Sequence, residues 1–272
     1  MSHEKRTLEF FVLTAFFALF VLFLYGPLSA ILILSFQGPD GGLTFPLNGV
    51  SLHWFANLFE RQAVGDFGGS FRRSLTLGLM VMAVTVVVAL LAGLAFRQKF
   101  RGATALFYLS VASLVVPSIV ISLGIGVVFQ QLGLRPSWYG SAFGAHLTWT
   151  LPFGVLIMFA VFNRFSPAYE EAARDLGATS WQTFYHVVLP IIAPSLIGVG
   201  LFGFTLSYDE FARTLMTSGT FNTLPLEIYG MTTNVTTPVL YALGTVTTGF
   251  SFLVIAATLG AIVYVGRRRA RA

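Results

Sequence analysis

"SLTLGLMVMAVTVVVALLAGLAF", residues 74–96, contains no charged side chain. A helix over this stretch rises 1.5 Å per residue and reaches about 34 Å, enough to cross a hydrocarbon core of roughly 30 Å. The chain around it is of the same kind. Its 272 residues are 56% apolar, include 28 phenylalanines and are only 10% charged, too little polar surface to cover a soluble globule of this size. Five more apolar stretches match the length of a spanning helix, at about residues 10–34, 103–129, 138–162, 187–208 and 239–265. The expectation is an all-α polytopic membrane protein with six transmembrane helices and a single membrane domain over residues 1–272. Pro117 and Pro152 fall inside the third and fourth stretches, where each frees a backbone carbonyl and bends the helix.

The net charge of +5 follows topology rather than a nucleic-acid surface. With a cytoplasmic N-terminus, eleven of the 16 Lys and Arg face inward: Lys5 and Arg6, the Arg97–Arg101 cluster, Arg164 and Arg174, and the basic tail from Arg267 to Arg271. The outward segments hold Arg61, Arg72, Arg73, Arg135 and Arg213. This bias places both termini in the cytoplasm of a cell with an inner membrane. The basic N-terminus could introduce a secretory signal, but the apolar run that follows far exceeds an h-region and reads as a retained helix. An extracytoplasmic loop then spans about residues 35–73. Within it Ser51 can cap a short helix whose Leu52, Phe55, Leu58 and Phe59 share a face, and His53 with Trp54 reads as an interfacial anchor.

The inward segment at about 163–190 contains "EEAARDLGATSWQTFYHVVLP", residues 170–190. Ser166 and Pro167 suit a helix start, Glu170 and Glu171 sit at its positive end, and Glu170 is spaced to pair with Arg174. Gly177 permits the left-handed backbone that ends a helix, and Thr179 with Gln182 forms a capping box for a second one that runs to Pro190. The spacing predicts a helical hairpin. Ala172, Ala173 and Leu176 give the first helix a slender face able to enter a groove on another protein, with flanking charges to orient it.

"EAA", three residues, Gly177, nine residues and "VVLP" resemble the EAA motif of ABC importer permeases, with Val187 in place of the usual Ile. "SLHWFANLF" and "SYDEFARTLMTSGTFNTLPLEIYGM" from Ser207 are similar to the second permease of spermidine/putrescine-type importers. The likeness covers most of the chain, loosely in the first span and well from about residue 50. It implies a MetI-like fold and makes Glu170, Glu171, Ala172, Ala173, Arg174, Asp175, Leu176 and Gly177 the coupling segment that docks into an ATPase subunit. It also implies a second permease, two ATPases that bind ATP and Mg, and an extracytoplasmic binding protein. The implied cargo is a polyamine or related organic cation, or else an opine, amino-acid derivative or other small solute.

No G-x4-G-K-[ST] string occurs in the chain, so a phosphate-cradling loop must come from a partner, and no cofactor is expected here. His3, His53, His146 and His186 have no metal-ligand spacing, and cysteine is absent. The candidate solute path comprises Tyr208, Asp209, Glu210, Tyr229 and Trp149, because carboxylates near hydrocarbon require water or a partner. The structural alternative pairs Asp209 with Arg213 and leaves Glu210 solvated. Two rival functions are an ion-coupled secondary transporter and a membrane scaffold that recruits an ATPase. The former predicts ionisable pairs in the membrane and discontinuous helices, neither of which the sequence displays.

Overall fold

The computed structural model describes residues 8–60, 65–98, 100–234 and 237–269. Lys5, Arg6, Arg61, Lys99 and Arg271, used above for orientation, and His3 lie outside the described residues. The described residues are almost entirely helical, with one isolated bridge between Gln37 and Val50. They form two compact units, one from residues up to 65 with 230–250, the other from 66–229 with 251 onward.

The first unit contains α1 (Leu8–Leu34) and α2 (His53–Asn57). α1 is apolar on all sides and exposes nearly all of them, as a lipid-facing span does. The segment after it is folded around Gln37, which is fully buried. Its Nε2 donates to the Gly42 carbonyl at 3.2 Å and its Oε1 accepts from the Asn48 amide at 2.7 Å, so a buried amide is satisfied from both ends. Trp54 is no interfacial anchor. It is buried and donates Nε1–H to the Gly38 carbonyl, and with Leu58 one turn later it forms the buried side of α2. Leu52 and Phe59 are exposed, so the expected four-residue face is not the one that packs. Ser51 does not hold the cap position of α2, which falls to Leu52; one residue earlier, its Oγ accepts from the His53 amide at 2.9 Å.

The second unit is organised around α3 (Phe67–Phe96), which packs against both α6 (Ser141–Asn163) and α9 (Leu189–Tyr208). Small residues let these helices approach closely. A methyl group on Gly154 would stand 2.9 Å from the Ala89 Cβ, and one on Gly93 would stand 2.8 Å from the Phe162 ring. At the same level Thr85 Oγ1 of α3 donates to Thr150 Oγ1 of α6 at 3.0 Å.

Among the described residues five helices are long and apolar enough to cross a membrane: Leu8–Leu34, Phe67–Phe96, Ser141–Asn163, Ser180–Tyr208 and Val239–Tyr264. The remaining apolar stretch is not one bent helix. It is split into α4 (Ala103–Ala112) and α5 (Ser118–Gln131), with Pro117 capping the second half. Pro152 behaves differently and stays inside continuous α6. The Thr148 carbonyl, four residues before Pro152 and without its helical donor, accepts the Ser113 hydroxyl at 2.9 Å.

The hairpin comprises α7 (Ala168–Asp175) and α8 (Ser180–Thr183). α8 does not end at Pro190. It widens into a π turn over Phe184–Val188, where the Leu189 amide bonds back to Phe184, and continues as α9. The wider turn accommodates the ring of Pro190 where an α-helical ladder would meet it. The chain closes with α10 (Leu224–Asn234) and α11 (Val239–Arg269).

Candidate functional site

Two polar regions stand out from the apolar body of the second unit. The first is the hairpin. Its turn is a complete Schellman arrangement: the Ala178 amide bonds to the Ala173 carbonyl at 3.0 Å, the Gly177 amide bonds to Arg174 at 2.8 Å, and Gly177 has φ +86°. The capping box follows at once, with Thr179 Oγ1 accepting from the Gln182 amide and Gln182 Oε1 accepting from the Thr179 amide. The start of α7 differs from the expectation. Pro167 occupies the cap position and no side chain, Ser166 included, caps the helix.

Glu170 is also placed differently. Rather than pairing with Arg174 one turn on, it receives two parallel hydrogen bonds from Arg97 beyond the end of α3, at 2.8 and 2.7 Å. A planar guanidinium matches a carboxylate in this bidentate way, whereas Arg174 on the same helix competes at the solvent surface. The bonds from Arg97 hold the Glu170 carboxyl below its ordinary range, partial burial opposes them, and the Arg97 charge adds to the lowering. Arg97 also lies over the rings of Phe162 and Phe165, each 5.3 Å away, so the hairpin is tied through one cation to the ends of α3 and α6. Glu171, Ala172, Arg174, Asp175 and Leu176 remain exposed, Leu176 at 90%. The hairpin thus offers a rigid backbone with an uncovered apolar tip.

The second region is a buried polar hub at the other end of α9. Arg213, only 2% exposed, lies 3.5 Å from Glu210, which is itself 7% exposed. Its guanidinium donates to Ser118 Oγ at the start of α5 (2.6 Å) and to Thr148 Oγ1 of α6 (3.3 Å), and it stacks 4.5 Å from the Trp149 ring. Beside it, fully buried His146 meets Ser207 Oγ through Nδ1 (2.8 Å) and Thr214 Oγ1 through Nε2 (3.1 Å). Ser122 of α5 donates to the Arg213 carbonyl and accepts from the Met216 amide. The hydrogen-bonding groups of the hub find partners within the protein, as polar groups removed from water require, with one exception: the Nε1–H of Trp149 is buried without one.

Residues 85–271 match the family described as "Binding-protein-dependent transport system inner membrane component". The chain belongs to this family. It is a multi-pass permease of the inner membrane, and its all-helical architecture is that of an ABC importer permease. Over 240 residues it is 28% identical to the spermidine/putrescine transport system permease protein PotC of Haemophilus influenzae, covering 88% of this chain and 91% of that one. Over 235 residues it is 27% identical to the putrescine transport system permease protein PotI of Escherichia coli, covering 84% and 82%. The same fold occurs in a bacterial ABC transporter that imports the acidic polysaccharide alginate, with a TM-score of 0.67 at 15% identity and coverage of 96% and 95%.

Within this permease the five path candidates separate into two groups. Asp209 and Tyr229 reach the surface, with the Tyr229 ring tilted against Phe211 at 5.0 Å. Tyr208 is buried and stacked on Phe204, and the ring of Trp149 is covered by Arg213. Glu210 is buried, and it rather than Asp209 is the partner of Arg213. The spacing of three serves here because the chain leaves α9 at Asp209 and turns, so Arg213 never stacks one α-helical turn beyond Asp209. A buried ion pair and a discontinuous helix are both present; the sequence does not display the first and hints at the second only through Pro117. Their partners Ser118, Thr148, Ser207 and Thr214 carry no local signal; the one clue is Pro152, four residues beyond Thr148.

Proposed function

We propose that this permease is one of two different membrane subunits of an ATP-driven, receptor-dependent importer whose cargo is a polyamine such as spermidine or putrescine, or a related organic cation. The observation that carries this reading is the similarity to the spermidine/putrescine and putrescine permeases across 84–88% of the chain, rather than in the hairpin alone. On this reading residues 1–272 act as one transmembrane domain with both termini and the hairpin in the cytoplasm. Two ATPase subunits bind ATP and Mg, and an extracytoplasmic binding protein delivers the solute.

The residue Glu171, the slender Ala172–Ala173 face, Arg174, Asp175 and the exposed Leu176 supply the contact with the ATPase, while Gly177 fixes the angle at which they are presented. Glu170 acts from behind by holding α7 to Arg97. ATP binding brings the two ATPases together, and the hairpin transmits that displacement to α9 through the uninterrupted Ser180–Tyr208 helix. The permease then favours one access state over the other by the differential affinity of its partners for the two. Asp209, exposed at the far end of the same helix, is the acid placed to meet a cationic solute; Glu210 is already neutralised by Arg213.

The deciding experiment reconstitutes the permease with its partner permease, ATPases and receptor in vesicles and follows ATP hydrolysis and uptake with spermidine, putrescine, an amino acid and a neutral sugar. Stimulation by the polyamines alone is expected. Stimulation by the sugar or the amino acid in their place would overturn the cargo while leaving the importer class intact.

A further inference from the structure

The interruption between α4 and α5 falls inside an apolar stretch as long as a membrane span. α4 runs about 15 Å before it and α5 about 21 Å after it, at 1.5 Å per residue. The carbonyls of Ser113, Leu114, Val115 and Val116 accept no hydrogen bond from any described residue, and the amides of Val116, Ser118 and Ile119 donate none. Val115, Val116 and Pro117 are exposed, Val115 at 80%. Lipid cannot satisfy such groups, and irregular backbone at membrane depth persists only where protein covers it or water reaches it.

The interruption is held open by its surroundings. Ser113 Oγ on the α4 side donates to the Thr148 carbonyl at 2.9 Å. On the α5 side, Arg213 grips Ser118 Oγ at 2.6 Å while its Nε donates to Thr148 Oγ1. Both lips are thus fastened to the same residue of α6, and neither tie uses the four carbonyls between them. The negative end of the α4 dipole faces the same gap, and Arg213 on the other lip is countered by Glu210. Oriented carbonyls without donors at a half-helix end form a cation-attracting surface.

We infer that the α4–α5 break lines the water-filled route of the solute and presents the Ser113–Val116 carbonyls to its ammonium groups. This inference rests on the importer reading above. The alternative occupant of the gap is the second permease, sealing it as part of the subunit interface.

The chain has no cysteine, so Val115→Cys and Val116→Cys introduce unique thiols in this subunit, with Leu123→Cys on the exposed apolar side of α5 as control. The variants are assembled into the full complex in vesicles, confirmed by co-purification, and treated without nucleotide and in the vanadate-trapped state. The reagents are the membrane-impermeant trimethylammonium-ethyl and sulfonatoethyl methanethiosulfonates. Reaction at 115 and 116 in at least one state is expected, faster with the cationic reagent, with loss of uptake on modification and no reaction at 123. Lack of reaction at 115 and 116 in both states overturns the inference, and a disulfide formed with a cysteine on the second permease then assigns the gap to the interface. Equal rates for the two reagents would remove the role of the carbonyls. The labelling needs no solute, so it stays separate from the cargo: reaction that spermidine fails to slow keeps the break on the route and counts against the polyamine.

Discussion

The hairpin and the hub are both polar islands in an apolar chain, yet they are built on opposite plans. The hairpin is assembled from neighbours: its caps, its left-handed glycine and its turn bonds all join residues within six positions of one another. The hub joins residues 118, 146, 148, 207, 210 and 213, which only the packing of α5, α6, the end of α9 and the chain after it brings together. The hairpin leaves most of its polar and apolar groups exposed, whereas the hub consumes its polar groups internally. A substitution in the hairpin should therefore alter communication and leave the fold intact, and one in the hub should do the reverse.

The sharpest break of that comparison is Arg213→Ala. It strands Glu210 in a site that is almost closed to water and removes the grip on Ser118. Removing one partner of a buried pair typically costs about 3–5 kcal/mol, most of it the penalty of the charge left behind. The thermal midpoint of the purified complex should fall markedly, and the double variant Arg213→Met with Glu210→Gln should recover most of the loss. An unchanged midpoint for the single variant would show that the pair is hydrated in the assembled complex.

Gly177→Val probes the other plan. A β-branched side chain meets no neighbour there, but at φ +86° it carries a left-handed strain of about 1–2 kcal/mol. The strain is relieved by reopening the turn, which changes the angle between α7 and α8. Assembly and midpoint should stay near wild type while receptor-stimulated ATP hydrolysis drops, and Gly177→Asn, which tolerates this backbone, should retain more of the stimulation. Wild-type stimulation in the valine variant would remove the hairpin from the coupling path.

How much of this was legible follows from the same contrast. Gly177, Thr179 and Gln182 could be read in order because their chemistry is local, and the apolar stretches could be counted because a span needs only length and composition. The Glu170–Arg174 pairing failed since helical spacing identifies which partner is near and not which partner is better, and Arg97 arrives from the end of α3, 73 residues earlier, with two aligned donors. Asp209 with Arg213 failed for a related reason: an i, i+4 rule presumes that the helix continues, and α9 ends first. The division of the third stretch into α4 and α5 was half visible in Pro117. Composition alone does not separate a kink from a break, because that depends on whether the freed carbonyl finds a donor. Thr148 before Pro152 finds Ser113; Ser113 before Pro117 finds none.

The smallest expected effect lies where the two plans meet, at the Arg97–Glu170 contact, which is long-range in sequence like the hub but lies at the surface of the hairpin. Both side chains keep some exposure, 24% and 14%, so solvent screens the pair and a contribution of about 0.2–1 kcal/mol is expected. Glu170→Gln should lower the midpoint slightly at neutral pH. The sign of the pH dependence follows from the carboxyl being held below its ordinary value by Arg97. The stabilisation is fully present above the unfolded value of about 4.3 and is lost as pH falls through the lower folded value. The gap between wild type and Glu170→Gln should therefore be constant from neutral pH down to about 5 and then close on further acidification. An Arg97→Gln background should abolish the gap at every pH, because a bidentate partner rather than the field of α7 is its source. A gap that persists in that background would instead credit the helix dipole, and would return Glu170 to the local plan that governs the rest of the hairpin.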